Sequence, residues 1–170
     1  MPSSYIEQEN IRLIQRYFEE INKGNLAILD ELCAPEIIHH TTHSPKPIVG
    51  LIEVKKLAAS YHSAFPDLQY QLEQVISDEG LVAINWKATG TFKGTFRGIL
   101  PTGKSCLMSG MSINRIVKGK IVERWVVNDD LGILQQMGLP RWILGIGVFI
   151  SVILPFGYYK FKNLFKQLQQ

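Results

Sequence analysis

The sequence has little cysteine, no basic patch and few recognisable chemical motifs. Its two cysteines, Cys33 and Cys106, stand in unrelated settings. They form no disulfide framework and no metal motif, which favours a reducing compartment. Charged residues make up an ordinary 19% of the chain, and no basic patch suggests a nucleic-acid partner. The N-terminal residues are polar and unlike a signal peptide.

Positive charge is concentrated at the C-terminal end. The four charges after Pro140 are all basic, whereas fourteen basic residues face fifteen acidic ones before it. Residues 142–159 are uncharged, with aromatic residues at both ends and lysines beyond. As a helix this stretch would be about 27 Å long, close to the hydrocarbon thickness of a bilayer. We therefore predict a membrane anchor in residues 140–170, with a buried helix and an interfacial helix as alternatives.

This anchor predicts a membrane-associated protein with a single C-terminal span. The lysines favour the cytoplasm for the end of the chain. The absence of a visible export signal favours the cytoplasm for the domain in residues 1–139. The sequence therefore leaves the orientation open, and the prediction adopted for the domain is cytoplasmic.

The apolar spacing of residues 1–139 changes period near Leu68. Helical spacing predicts three helices before that point, and alternation of apolar and polar residues predicts four antiparallel strands after it. The segment Ile37–Gly50 is predicted to be a loop, and Leu131–Met137 a closing helix. This order predicts an α+β fold, in which a curved antiparallel sheet is covered by N-terminal helices and followed by the C-terminal apolar helix. Such a fold encloses a pocket.

An acidic pair, Asp129 and Asp130, follows the predicted strand Val122–Asn128. Period two would place Trp125, Val127 and Asp129 on one face of that strand. Partly apolar surroundings would raise the pKa of a carboxyl there, and suit it to proton transfer near neutral pH. The simpler interpretation is that one aspartate caps the helix that follows, while the other faces inward.

Three blocks of the sequence carry a family resemblance. They are FPDL at residues 65–68, GTFKGTFRGILPTGK at residues 90–104 and IVERWVVNDDLGILQQMG at residues 121–138. The chain resembles, over about residues 5–139, the SnoaL-like polyketide cyclases of the nuclear transport factor two-like superfamily. The resemblance implies a cone-shaped barrel, often dimeric, with a hydrophobic pocket. It also implies ring closure by intramolecular aldol condensation without metal or cofactor.

The resemblance assigns roles to individual residues. Asp129 ends the W-x-x-x-D run and corresponds to the acid/base, and His40 aligns with a loop histidine that can assist it. Phe92 stands where the family commonly has a histidine, and its side chain can neither transfer a proton nor donate a hydrogen bond.

Further side chains are candidates for ligand binding. Tyr61, Ser112 and Asn128 could donate to an enolate oxygen. Ser112 would lie opposite Trp125 if the turn at Lys118-Gly119 has two residues. Aromatic residues could form a stacking wall, with ordinary core packing an equal alternative; they are Trp86, Trp125, Phe92 and Phe96.

Two other groups of polar residues are interpreted as structural. Glu123 and Arg124 point to opposite faces of their strand, and both are interpreted as solvated charges. The loop histidines His39, His40 and His43 lack carboxylate or thiolate partners at ligand spacing, so no metal site is predicted.

Two functions of different kinds follow from these features. The first is cofactor-free acid/base chemistry of the cyclase or isomerase type on a small lipophilic carbonyl compound. The alternative is a membrane-tethered protein that binds a hydrophobic ligand without catalysis. A third and weaker hypothesis is a dimerisation platform, and the sequence leaves monomer and homodimer both open.

Overall fold

The computed structural model describes residues 5–42 and 44–138. Within those ranges the chain order is α1 (Tyr5–Asn22), α2 (Ile28–Leu32), β1 (Cys33–Thr41), β2 (Ser44–Val49), α3 (Leu51–Ala64), β3 (Gln69–Asp78), β4 (Leu81–Thr91), β5 (Ser105–Val117), β6 (Lys120–Asn128) and α4 (Asp130–Met137). The six strands form one sheet in the order β2-β1-β6-β5-β4-β3. Neighbouring strands are antiparallel, except that β1 and β6 run parallel. The predicted α+β fold is therefore confirmed.

The segment Ile37–Gly50 is not the predicted loop. It belongs largely to β1 and β2, which pair with each other at one end of the sheet. β2 is an edge strand, where Pro45 and Pro47 are tolerated because one side of the strand needs no ladder hydrogen bonds. β1 gains its order from two neighbours, one of them more than 80 residues away, and a local pattern does not reveal such pairing.

The first helix, α1, packs its apolar side chains against the sheet. Ile14, Phe18 and Ile21 recur at helical spacing and are buried. At its end the Asn22 side chain pairs with the backbone of Tyr70 in β3. Its Nδ2 donates to the Tyr70 carbonyl (2.8 Å) and its Oδ1 accepts from the Tyr70 N–H (2.7 Å). These contacts fix α1 across the inward face of the sheet.

The glycine-rich connection between β4 and β5 packs against the end of α3. The backbone N–H groups of Lys93 and Gly94 both donate to the carbonyl of Ala64 (2.9 and 3.0 Å). A Cβ on Gly94 would collide with the backbone of Ser63, so this close approach requires glycine. The connection thereby places its aromatic residues beside α3.

Residues 139–170 and His43 lie outside the described residues. The predicted anchor in residues 140–170, its domain boundary and its cytoplasmic orientation thus remain predictions. Among residues 5–42 and 44–138, no helix is both long and apolar enough to cross a bilayer.

Candidate functional site

A one-residue bulge in β6 determines which of its side chains face the helices. Across the turn to β5, Ile116 pairs with Ile121, whereas Arg115 pairs with Glu123. Val122 is therefore an extra residue on β6. A bulge of this kind reverses the phase of side-chain alternation along the strand beyond it.

The reversal brings a different set of residues inward. Before the bulge the odd-numbered Ile121 is buried, but beyond it Arg124 and Val126 are buried. Trp125 and Val127 thereby belong to the opposite face, which does not line the cavity. Asp129 follows the end of the strand and does not line the cavity either.

The inward face of the sheet and the helices α1 and α3 enclose a cavity of about 80 Å³. Its wall is mainly aliphatic and aromatic. Eighteen side chains line it: Tyr17, Phe18, Ile21, His39, Thr41, Val54, Leu57, Ala58, Tyr61, His62, Leu68, Tyr70, Trp86, Met108, Arg124, Val126, Asn128 and Ile133. None of these eighteen is an aspartate or a glutamate.

Several polar atoms in this wall have unmet hydrogen-bonding capacity. Four of the lining side chains carry a buried nitrogen or oxygen without a hydrogen-bond partner within the described residues: His62 Nε2, Trp86 Nε1, Arg124 Nε and Asn128 Oδ1. Buried polar groups in folded proteins are nearly always satisfied, so such a cluster indicates a place where solvent or a ligand supplies the partner.

Arg124 is the charged group of the cavity. Its side chain lies over the rings of Tyr17 (5.0 Å to the centroid) and Phe18 (5.5 Å), and its Nη1 donates to the Tyr17 hydroxyl (2.7 Å). It forms no ion pair with a carboxylate in the described part of the chain. The interpretation of Arg124 as a solvated charge is therefore wrong, because the bulge turns it inward and leaves it 9% exposed.

His39 reaches the same cavity from the neighbouring strand. It pairs in register with Arg124 across the parallel β1–β6 ladder, and it is buried. Paired residues on adjacent strands are neighbours on one face. The cavity therefore combines an imidazole with a guanidinium, on adjacent strands of the sheet.

The tyrosines of the cavity keep their hydroxyl protons. Burial raises the pKa of Tyr17, although the nearby Arg124 opposes the effect. Burial likewise raises the pKa of Tyr61 and of Tyr70. These phenols can therefore act as hydrogen-bond donors at neutral pH.

A glycine makes room for the indole that closes one side of the cavity. Gly110 lies opposite Trp86 on the β4–β5 ladder, and a Cβ there would stand 2.5 Å from both the Trp86 ring and the Val127 carbonyl oxygen. Any larger residue would push the indole towards the cavity.

Three of the predicted ligand-binding residues line the cavity. Tyr61 reaches it from α3, Trp86 from β4 and Asn128 from the end of β6. The ring of Tyr61 also packs on Phe96 of the β4–β5 connection (4.8 Å between centroids). That contact ties the wall of the cavity to the connection above it.

Asp129 is placed differently from the prediction. It is exposed, and its Oδ1 accepts a hydrogen bond from the backbone N–H of Gly132 (2.9 Å), which makes it the N-cap of α4. Its backbone carbonyl accepts the first bond of that helix, from the N–H of Ile133 (3.1 Å). The simpler interpretation, in which one aspartate caps the helix that follows, agrees with the position of Asp129.

His40 and Trp125 also lie on the outer face. Their rings stack at 5.4 Å with an angle of 3° between their planes. His40 Nε2 is 2.9 Å from Glu123 Oε1, and Arg115 Nε is 3.3 Å from Glu123 Oε2. Neither predicted residue lines the cavity. The phase reversal at Val122 turns Trp125 outward, and His40 is its register partner on β1.

Phe92 and Ser112 are buried but do not line the cavity. The Phe92 ring packs against Phe65, with 5.5 Å between centroids. Ser112 pairs with Val126, not with Trp125 as predicted. The turn does have two residues, but the bulge shifts the register by one.

Sequence reasoning missed the main polar residues of the cavity, Tyr17, His39, His62 and Arg124. Tyr17 and His62 lie on helices whose apolar stripes predicted burial of their neighbours, so helical spacing could have indicated them. His39 was hidden in the predicted loop, and Arg124 by the bulge. Within residues 5–42 and 44–138, no group of three or more His, Cys, Asp or Glu side chains could hold a metal ion.

Comparisons with known proteins agree on the family. The sequence profile of the SnoaL-like polyketide cyclases matches residues 11–137. No relative among functionally curated proteins matches the chain.

Several solved structures are similar to this one. AclR of Streptomyces galilaeus, provisionally named a hydroxylase, is 28% identical with a TM-score of 0.72, and the match covers 79% of this chain and 99% of that one. IdmH of Streptomyces antibioticus, provisionally named a polyketide cyclase, is 27% identical with a TM-score of 0.67, covering 76% and 99%.

A third similar structure extends the agreement in fold. A provisionally named SnoaL-like polyketide cyclase from Jannaschia sp. CCS1 has a TM-score of 0.76 at 22% identity, covering 82% of this chain and 99% of that one. The family profile spans most of the chain and these structures share its fold. The chain therefore belongs to the SnoaL-like polyketide cyclase family.

Proposed function

We propose that the cavity binds a small lipophilic carbonyl compound, and that the domain catalyses cofactor-free proton transfer on it, of the cyclase or isomerase type. The observation that carries this proposal is the set of four polar atoms that have no hydrogen-bond partner among the described residues, in a wall that is mainly aliphatic and aromatic. A ligand with an apolar body would fit the aliphatic and aromatic part of that wall, and its oxygens would accept hydrogen bonds from the N–H groups of Trp86 and Arg124. Membership of the cyclase family supports the reaction type.

The base in this proposal is His39. An imidazole changes charge near neutral pH and can remove a proton α to a carbonyl. The enolate oxygen that results would accept hydrogen bonds from the Asn128 amide and the Tyr61 hydroxyl. In a cyclisation the enolate carbon attacks a second carbonyl of the same molecule, and His39 returns its proton to the alkoxide formed.

The size of the cavity limits the ligand. Its volume of about 80 Å³ is well below the roughly 300–1,000 Å³ of pockets that enclose drug-sized molecules. We therefore expect either a ligand of one ring or a short chain, or side-chain movement at the contact between Tyr61 and Phe96.

Exchange of α-protons for deuterium tests the chemistry without knowledge of the natural substrate. The full-length chain is incubated in D₂O with 1-phenylpropan-2-one, and loss of the benzylic CH₂ signal is followed by NMR. We expect exchange above the buffer rate for the wild type and for His40→Gln, whose ring lies on the outer face. We expect its loss in His39→Gln. Equal exchange by both variants would rule out His39 as the base.

Occupancy of the cavity has its own matched pair of variants. Val126 lines the cavity, whereas its neighbour Val127 is 57% exposed on the other face. Ligands that co-purify with the full-length chain are identified by mass spectrometry. Val126→Phe should lose them, and Val127→Phe should keep them. Ala58→Leu, which fills the cavity from α3, is the second variant if Val126→Phe does not fold.

A non-catalytic carrier is the second candidate. It is favoured by the lack of any carboxylate among the cavity-lining residues and by Phe92 in place of a histidine. In this proposal the protein holds a hydrophobic ligand at a membrane, through the anchor predicted in residues 140–170. A co-purifying ligand together with no α-proton exchange on any enolisable ketone would favour the carrier.

A further inference from the structure

We propose that the cavity ligand carries a carboxylate, and that Arg124 is the residue that binds it. The inference rests on the proposed function, since it names the chemical class of the molecule that the cavity holds. The natural ligand would then be a lipophilic carboxylic acid, with its acid group inside and its apolar body against the aromatic wall.

The first argument is the uncompensated charge. The Arg124 side chain carries a permanent positive charge and is 9% exposed. A buried charge is costly unless an opposite charge and hydrogen bonds compensate it. Within the described residues no carboxylate pairs with Arg124, and none lines the cavity.

The second argument is the geometry of the guanidinium. Its Nη1 donates to the Tyr17 hydroxyl, and its Cζ lies over the rings of Tyr17 and Phe18. Its Nε is buried and has no hydrogen-bond partner within the described residues. A planar fork with a free edge matches the two oxygens of a carboxylate, which it can bind through two parallel hydrogen bonds.

The third argument is the contrast with ordinary arginines of this chain. Arg16 forms two hydrogen bonds with Glu31 (2.6 and 2.7 Å), and Arg115 pairs with Glu123 (3.3 Å); both lie at the surface. The aromatic rings beneath Arg124 attract its charge but do not neutralise it. Only an anionic ligand would give Arg124 a negatively charged partner, such as the glutamates that pair with Arg16 and Arg115.

The test compares an acid with a neutral analogue of the same shape. Binding of 3-phenylpropanoate and of 3-phenylpropan-1-ol to the full-length chain is measured by calorimetry near pH 7.5, in a neutral detergent where the chain requires one. We expect the acid to bind at least about tenfold more tightly than the alcohol. Arg124→Met should abolish this preference while leaving alcohol affinity within about threefold, because the apolar wall is retained.

Two further variants keep the test independent of folding defects. Arg124→Lys retains the charge but not the fork, and should keep part of the preference for the acid. Arg115→Met, on the outer face, should leave both affinities unchanged. Alcohol binding by Arg124→Met also serves as the evidence that this variant is folded.

The outcomes separate this inference from the proposed function. If the wild type binds the alcohol as tightly as the acid, or if Arg124→Met keeps the preference, the carboxylate assignment is wrong while a ligand-binding cavity stands. If the wild type binds neither compound yet exchanges the α-protons of 1-phenylpropan-2-one, the assignment also fails and the catalytic proposal stands. If it neither binds nor exchanges, both fail.

Discussion

Charged side chains on the two faces of β6 have opposite surroundings. On the outer face Glu123 lies between His40 (2.9 Å) and Arg115 (3.3 Å), so the Glu123 carboxylate and the Arg115 guanidinium are paired at the surface. On the inner face the neighbouring Arg124 is buried against aromatic rings, and among the residues that the structure describes its hydrogen-bond partner is a tyrosine hydroxyl. Adjacent residues of one strand thus occupy a compensated and an uncompensated environment.

The difference teaches where to look for function in this molecule. A surface ion pair contributes little to stability and needs nothing further. A buried cation without a counterion lowers stability, and such strain is typical of binding and catalytic sites. The polar residues that matter are therefore those of the inner face, although the outer face carries the more recognisable sequence motif.

The outer face of the sheet also exposes a group of apolar side chains. Met111, Ile113 and Val127 are 61%, 45% and 57% exposed there, and Val127 pairs with Met111 on the ladder. Apolar side chains grouped on an exposed face are typical of interfaces. The homodimer remains a prediction, which the mass of the full-length particle in solution would test.

The largest expected effect comes from filling the inner face at Gly110. Gly110→Ala would drive a methyl group into the Trp86 ring and the Val127 carbonyl, and should destabilise the fold by about 3 kcal/mol. Urea unfolding measures it. Ser109→Ala, on the outer face one residue away, should change stability by less than about 0.5 kcal/mol. Equal effects would mean that the two faces are packed alike.

The next effect concerns the charge itself. Replacing both partners, as in Arg124→Met with Tyr17→Phe, removes the buried charge and its hydrogen bond together, and should stabilise the ligand-free protein by about 1–2 kcal/mol. Arg124→Met alone should gain less, because the tyrosine hydroxyl loses its partner. Urea midpoints of the three proteins provide the measurement. A loss of stability in the double variant would show that Arg124 is already compensated.

Asp129 distinguishes a cap from a catalytic carboxylate. Asp129→Ala should cost about 1 kcal/mol through loss of the bond to the Gly132 N–H, whereas Asp129→Asn should keep most of the cap. Neither change should affect α-proton exchange, because the side chain is exposed and does not line the cavity. A variant Asp129→Asn that is stable but fails to exchange would restore the catalytic role implied by the family resemblance.

The smallest expected effect is a pH dependence of stability that arises from His62 in the cavity wall. Burial lowers the pKa of His62 below its ordinary value of 6.5. At His62 the unfolded chain therefore binds a proton more readily than the folded one. The contribution of neutral His62 to the free energy of unfolding is fully present above pH 6.5 and declines as the pH falls. His62→Gln should flatten the fall of the urea midpoint between about pH 7 and pH 5. An identical slope in the variant would exclude His62 as a source.

Much of the fold follows from local patterns in the sequence. Helical spacing and strand alternation predicted α1, α3 and β3–β6, because those periods result directly from backbone geometry. The strands β1 and β2 were missed because their order depends on pairing with β6 and with each other. Of the site, Tyr61 and Asn128 were predicted as hydrogen-bond donors and Trp86 as part of an aromatic wall, whereas His39 was hidden by the missed strand.

The sequence by itself determined the layers, the two-residue turn at Lys118-Gly119 and the alternation of β6 into two sets of side chains. Which set would face the helices was decided only in the tertiary structure. A single extra residue, Val122, shifts the pairing of β6 with β5 by one. Each later side chain of β6 therefore points to the opposite face from the one that strict alternation predicts. The physical reason is that a side-chain period of two makes a one-residue shift equivalent to turning the strand over. That shift placed Arg124 in the cavity and Asp129 at the surface.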